Sequence, residues 1–421
     1  MFKVTEQQAL DFHAGIEDGK PGKIGIHLTK DMSTAKGLAL AYSPGVGYPC
    51  LEIQKNKENA YKYTSKGNTV AIISNGTAVL GFGDIGHLAS KPVMEGKAGL
   101  LKAFANIDSI DIEIDEKDPQ KLAYIISKIG DTWGGINLED IKAPECFIVE
   151  KIVSENLDIP IFHDDQHGTA VVNLAGLINA LKIVGKDKKD VKIVFNGAGA
   201  AATACRNLMV DYGFEPKNII ICDTKGVIYK GRKDGMNEFK EPLATETQKR
   251  TLEEAVENCD ILLGLSAKDA FTPEMIKSMA KNPIIFAMAN PNPEISPEKV
   301  LEIRSDAIIA TGRSDYPNQV NNVLAFPYIF RAALDCRAIK ISSKMKLAAA
   351  EAVAKIAQQP ITQEVRDAYE GQNFEFSKNY ILPKPFDKRL LKEVSVAVVK
   401  TALEEKLAKN ILDINEYKAR F

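Results

Sequence analysis

Two short stretches of the chain concentrate carboxylates in a way that could hold a metal ion. Glu139 and Asp140 close the stretch Gly135-Ile-Asn-Leu-Glu-Asp140, and Asp164 and Asp165 stand inside His163-Asp-Asp-Gln-His-Gly168. Hard divalent cations such as Mg²⁺ and Mn²⁺ take oxygen ligands, which Glu139, Asp140 and one of the Asp164–Asp165 pair could supply. Taken singly, Asp164 or Asp165 has a plainer use as the cap of the helix expected to follow. Gathered without partners, four carboxylates repel one another, so the cluster requires either a cation or separation. His163 and His167 have the i, i+4 spacing of a zinc-binding helix. No third soft ligand falls nearby, and zinc is not expected.

A second constellation is Gly197-Ala198-Gly199-Ala200-Ala201-Ala202, a G-x-G-x-x-A turn between an apolar run and a helical pattern. The glycines permit a tight turn and let the backbone approach a pyrophosphate seated on the helix N-terminus. The next apolar run leads to Asp223, whose carboxylate can accept from ribose hydroxyls. A glycine-rich turn with Asp223 as a loop cap is the alternative. Asn290 and Asn322 follow later runs, where ligands bind beyond the carboxyl ends of parallel strands. They suit nicotinamide, ribose or substrate contacts, and equally suit turns. Asp223 repels a 2′-phosphate and favours NAD, while Lys225, Lys230, Arg232 and Lys233 just downstream keep NADP open.

Such groups need a scaffold, and the middle of the chain supplies one. Val191–Asn196, Asn218–Cys222, Asp260–Leu265, Pro283–Met288 and Asp306–Thr311 are short apolar runs of the kind found in doubly covered parallel strands. Helical patterns alternate with them, and Thr272-Pro273 and Ser296-Pro297 read as caps followed by an N1 proline. The expectation is a doubly wound parallel-sheet Rossmann domain over 156–362. An N-terminal α/β catalytic domain over 1–155 precedes it, with strands at Val70–Ser74 and Ile110–Ile114. A helical extension over 363–421 ends in an amphipathic helix at Leu390–Leu412, packed on the core or on a partner chain. The length of 421 residues suits more than one core.

Composition narrows the classes. Lys and Arg number 54 against 56 Asp and Glu, so no basic excess points to nucleic acid or to an anionic membrane surface. The first fifteen residues lack an apolar signal region, and the most apolar window, Ala170–Gly185, is broken by Asn173, Asn179 and Lys182, so no membrane span is expected. Six scattered cysteines without a C-x-x-C pair suit a reduced, cytoplasmic compartment.

Six motifs in order, Ala41-Tyr-Ser-Pro-Gly-Val-Gly47, Leu80-Gly-Phe-Gly-Asp-Ile-Gly86, Pro92-Val-Met-Glu-Gly-Lys97, Gly135–Asp140, His163–Gly168 and Asn196–Gly199, resemble the motif set of the malic enzymes, most closely the short bacterial form. The resemblance implies metal-dependent oxidative decarboxylation of L-malate to pyruvate and CO₂ with reduction of NAD(P). It implies Lys97 as general base, Tyr42 as general acid, and Asp164 as the acid supporting the lysine. Glu139, Asp140 and Asp165 match metal ligands, and Ala198 to Ala201, Asn290 and Asn322 match cofactor or substrate contacts. As a base at neutral pH, Lys97 would have to fall from about 10.4 to about 7–8. A homo-oligomer, a dimer whose partner chain completes the site, is also implied. Large eukaryotic forms carry an arginine for a malate carboxylate where this sequence has Ala78, which leaves that binder open. The bacterial fusion form continues into a phosphotransacetylase-like region that this sequence lacks. A malolactic enzyme releasing lactate and an inactive NAD-binding regulator are the competing readings.

Overall fold

The structure, a computed structural model, describes residues 4–16, 18–79 and 81–421. Leu80, which opens the second glycine motif, lies outside the described residues, as do the first three residues of the chain.

Two mainly parallel sheets organise the chain. The first runs β2-β1-β3-β4, built from β1 (Thr69–Ser74), β2 (Asp108–Glu113), β3 (Gly135–Leu138) and β4 (Ile161–His163). The second is β5 (Ile193–Asn196), β6 (Ile219–Asp223), β7 (Gly226–Val227), β8 (Ile261–Gly264), β9 (Ile284–Ala287) and β10 (Ile308–Thr311). Its order is β10-β9-β8-β5-β6-β7, with only β7 antiparallel to its neighbour. All five apolar runs of the middle region are strands here. From β5 the chain winds outward to β6, then returns to the other side at β8. That reversal opens a crevice at the carboxyl ends of β5 and β8, the place where such sheets take ligands.

The two sheets are joined by the Asp164–Val184 helix. It packs on the Ala200–Tyr212 and Ser343–Ala357 helices, and Val171, Leu174, Leu177 and Ala180 are wholly buried. Among the described residues this is the one helix long and apolar enough to cross a membrane, and most of it is inside the fold. Leu177→Ala leaves a cavity that rigid neighbours cannot fill. It is expected to lower stability by about 2–5 kcal/mol in denaturant unfolding.

Some expectations change. The strand expected at Ile110–Ile114 is β2 (Asp108–Glu113), an edge strand with Ile110 43% exposed and Asp111 buried. The Lys91 ammonium, 2.5 Å from the Asp111 carboxylate, makes that burial tolerable. The C-terminal amphipathic helix spans Arg389–Glu404 and stops short of Leu412, because Lys406 turns left-handed at φ 59° and the Leu407 N–H returns to the Ala402 carbonyl. Leu390, Val394, Val398 and Ala402 line its buried stripe, which packs on the Phe326–Asp335 and Ser343–Ala357 helices of the same chain.

Candidate active site

β3 and β4 are hydrogen-bonded neighbours with Leu138 opposite His163, so the residues just past their carboxyl ends arrive side by side. Those residues are Glu139-Asp140 and Asp164-Asp165. Ligand oxygens of Glu139, Asp140 and Asp165 come within 4.8 Å of one another. The Asp140 N–H donates to Asp165 Oδ2 at 2.8 Å, while the buried Asp140 Oδ2 has no hydrogen-bond partner. Burial, then the charge of Asp165, lifts the Asp140 carboxyl to about 8. Burial also raises Glu139 well above the carboxylate range, against the opposing pull of Lys97. Three crowded acids, one with an orphaned oxygen, form a set a hard divalent cation fits.

Lys97 reaches the cluster from the His87–Ala105 helix. Its Nζ lies 2.7 Å from Asp164 Oδ2 and 2.9 Å from Glu139 Oε1. Asn322 Nδ2 donates to the same Asp164 Oδ2 at 3.0 Å and to the Asp164 carbonyl at 3.1 Å. Asp164 is thereby fixed between lysine and asparagine. Burial lowers the lysine pKa, but the charges of Asp164, Glu139 and Asp165 outweigh it and hold Lys97 well above the ordinary lysine value. This is the reverse of the shift to about 7–8 expected for a free base. Burial alone would give that fall; the carboxylates gathered around the ammonium reverse it.

A cavity of about 430 Å³ joins Lys97 and the three acids to Ala201, Ser266, Asn290, Asn321 and Asn322. The glycine turn thus meets the carboxylate cluster. Gly197 holds φ 123°, and a Cβ there would stand 2.4 Å from the Leu265 carbonyl. Gly199 precedes the Ala200–Tyr212 helix, whose first turn presents Ala201 to the cavity. On another side of that turn, Ala198 and Gly199 border a second cavity of about 240 Å³ with Asn237 and Lys240. Asn290 is crowded by backbone: a Cβ on Gly81 would lie 2.4 Å from its carbonyl, and one on Gly312 2.8 Å from its amide. The buried Glu294 accepts from the N–H groups of Ser266 at 3.0 Å and Ala289 at 3.1 Å, tying the loops after β8 and β9 together.

Asp223 ends β6 where a ribose acceptor belongs, yet its carboxylate is already engaged. Arg232 Nη2 binds both oxygens at 2.8 and 2.7 Å, Lys240 Nζ lies 2.6 Å away, and the Lys225 N–H donates at 2.8 Å. Against burial, these contacts keep its pKa below the usual range. The repulsive charge expected against a 2′-phosphate is offset in place. Of the basic residues expected to do this, Arg232 takes part; Lys240 was missed because it lies seventeen residues on and the chain folds back to bring it near.

Tyr42 is not brought to the cluster. It caps the Ala35–Ala41 helix, is 67% exposed, and is absent from the cavity wall. His163 is buried at the end of β4 and His167 lies one helical turn on, with Nε2 2.6 Å from Glu150 Oε1; neither belongs to the one metal-capable group found among the described residues. Asn321 and Ser266 were missed by sequence reasoning. The doubled asparagine at 321–322 was the available signal for the first, and nothing marked the second.

The chain matches two family models: "Malic enzyme, N-terminal domain" over residues 21–153 and "Malic enzyme, NAD binding domain" over residues 166–367. A bifunctional malic/malolactic enzyme of Bacillus subtilis is 47% identical across 94% of this chain and 93% of its own. The chain belongs to the malic enzyme family. Within that family, an NADP-dependent malic enzyme of Rhizobium meliloti is 56% identical across 99% of this chain and 54% of its own, so this chain spans about half the length of that relative. The crystal structure of a malic enzyme from Pyrococcus horikoshii superposes with a TM-score of 0.89 at 38% identity, covering 98% of this chain and 94% of the other. The malic enzyme resemblance read from the motifs is therefore borne out over nearly the whole chain.

Proposed function

We propose that this chain oxidatively decarboxylates L-malate to pyruvate and CO₂, reducing NAD(P), with Mg²⁺ or Mn²⁺ held by Glu139, Asp140 and Asp165. The observation that carries the reading is one cavity lined by three clustered acids, a largely buried lysine and the first turn of the Ala200–Tyr212 helix. The cofactor supplies the hydride acceptor, and the metal supplies a Lewis acid for the oxygen on C2. Lys97 removes the C2 hydroxyl proton once the charges of Glu139 and Asp165 no longer hold its own. Asp164, clamped by Asn322, aims the amine. Lys97 is the only basic side chain on the described wall, so in this reading a malate carboxylate relies on the Asn290 amide, while Asn322, whose Nδ2 already donates to Asp164, serves the site by holding that acid. In this reading residues 1–155 form the catalytic part, 156–362 the cofactor part and 363–421 the helical extension. The free cysteines support a reducing, cytoplasmic setting.

The engaged Asp223 favours NADP over NAD, because the buried Arg232 and the partly exposed Lys240 already balance its charge and the Lys240 ammonium can meet a 2′-phosphate. Lys240→Met is expected to lower kcat/KM with NADP by about tenfold, or ~1.4 kcal/mol, and to change NAD kinetics little. An equal loss with both cofactors would assign Lys240 to the fold instead.

Tyr42 acts, in this proposal, from a second copy of the chain. Leu40 and Tyr48, close to it in the chain, and Leu28, Leu51 and Leu88 elsewhere in the N-terminal part are all exposed, apolar surface of the kind that a partner subunit buries. Tyr42 of the partner subunit then protonates the enol at C3. Mixing Lys97→Ala and Tyr42→Phe chains tests this. Each variant alone should turn over poorly, whereas each heterodimer regains one intact site, restoring up to about a quarter of wild-type activity after random reassortment. No recovery in a demonstrated heterodimer would refute sharing of the site.

A further inference from the structure

We propose that a cavity of about 380 Å³ between the Glu145–Asn156 helix and the start of the Ser343–Ala357 helix binds a small organic dianion, a phosphate monoester or a dicarboxylate. It shares no lining residue with the carboxylate cavity. Three lysines, Lys151, Lys340 and Lys346, line it against a single acid, Glu150. That acid is already occupied: His167 Nε2 lies 2.6 Å from one oxygen and Gln166 Nε2 donates to the other at 3.0 Å. Lys346 has no carboxylate within ion-pair distance among the described residues, and its one polar contact is His167 Nδ1 at 3.2 Å. Asp211, outside this cavity, accepts from the Ser343 hydroxyl. Nor do Lys151 and Lys340 form an ion pair among the described residues.

Desolvation pushes the Lys346 pKa down, which marks a cation short of counter-charge. A dianion relieves that deficit, since an ammonium taken from water regains energy only from a charged or hydrogen-bonding partner. The rest of the wall includes Ile159, Ile161, Ile339 and Ile341, apolar surface suited to a short carbon body rather than to a bare inorganic ion. The volume accommodates a molecule of a few carbons carrying two charges.

Calorimetric titration of the intact chain with glycerol 3-phosphate and, separately, with glutarate tests the site. Chelator is present throughout, so that neither ligand is recruited by a cation at the carboxylate cluster. One molecule should bind per chain, and Lys151→Ala/Lys340→Ala should raise Kd tenfold or more without altering malate turnover. Lys346→Met should do the same, with its melting temperature checked. Binding of the phosphate ester alone assigns a phosphate site, of glutarate alone a dicarboxylate site, and of both a site that reads charge. Absence of binding with both ligands, or a Kd unchanged in the double variant, overturns the proposal.

Discussion

Lys97→Met should reduce NAD(P)H formation from malate by about 10²–10⁴-fold in kcat, the range for removing a positioned general base. Methionine preserves length and packing beside the Phe326 ring, over which the ammonium sits at 4.9 Å. It also strips the buried Asp164 and Glu139 of their cation, and breaking such a group can cost about 3–5 kcal/mol. A melting curve with Mn²⁺ present therefore accompanies the kinetics, because metal bound at Glu139 offsets part of that loss. If the variant keeps kcat and only raises KM, Lys97 holds a carboxylate and the proton is removed elsewhere.

Asp165→Asn is the second large effect. The Asp165 side chain is 36% exposed, and an asparagine oxygen can still accept the Asp140 N–H, so the fold should survive. What changes is the charge offered to a hard cation. Affinity for Mn²⁺ should fall by about 100-fold or more, with activity recoverable only at high metal concentration. In wild type, chelator should abolish turnover and Mg²⁺ or Mn²⁺ should restore it. Undiminished turnover in excess chelator would remove the metal from the account.

The sequence made the second sheet easy to read and the first difficult, for a physical reason. β5, β6, β8, β9 and β10 are buried on both faces and announce themselves as apolar runs. β3 and β4 are only four and three residues long, and both carry a polar residue, Asn137 and His163, so neither rises above the background of loops. Yet the pairing of β3 with β4 is what brings the four acids together. Their chemistry could be read from residue type, while their proximity depended on a parallel register that spacing does not encode. Asp223 shows the same limit from the other direction. Its position at the end of β6 was legible, but the Arg232 and Lys240 contacts that fill its oxygens come from a loop that folds back. Tyr42 was singled out by the Ala41–Gly47 motif, and the single chain leaves it in solvent, away from the acids; its proposed use by a second copy is not something residue types in one chain can encode.

The most direct test of the account is a product balance on the purified chain with L-malate, NADP and Mn²⁺, measuring pyruvate, CO₂, lactate and NADPH together. Oxidative decarboxylation predicts pyruvate, CO₂ and NADPH in equal amounts with no lactate, all of it lost on chelation. Lactate and CO₂ without net reduced cofactor would place the chain with malolactic turnover, and no product at all from malate would contradict the assigned reaction altogether.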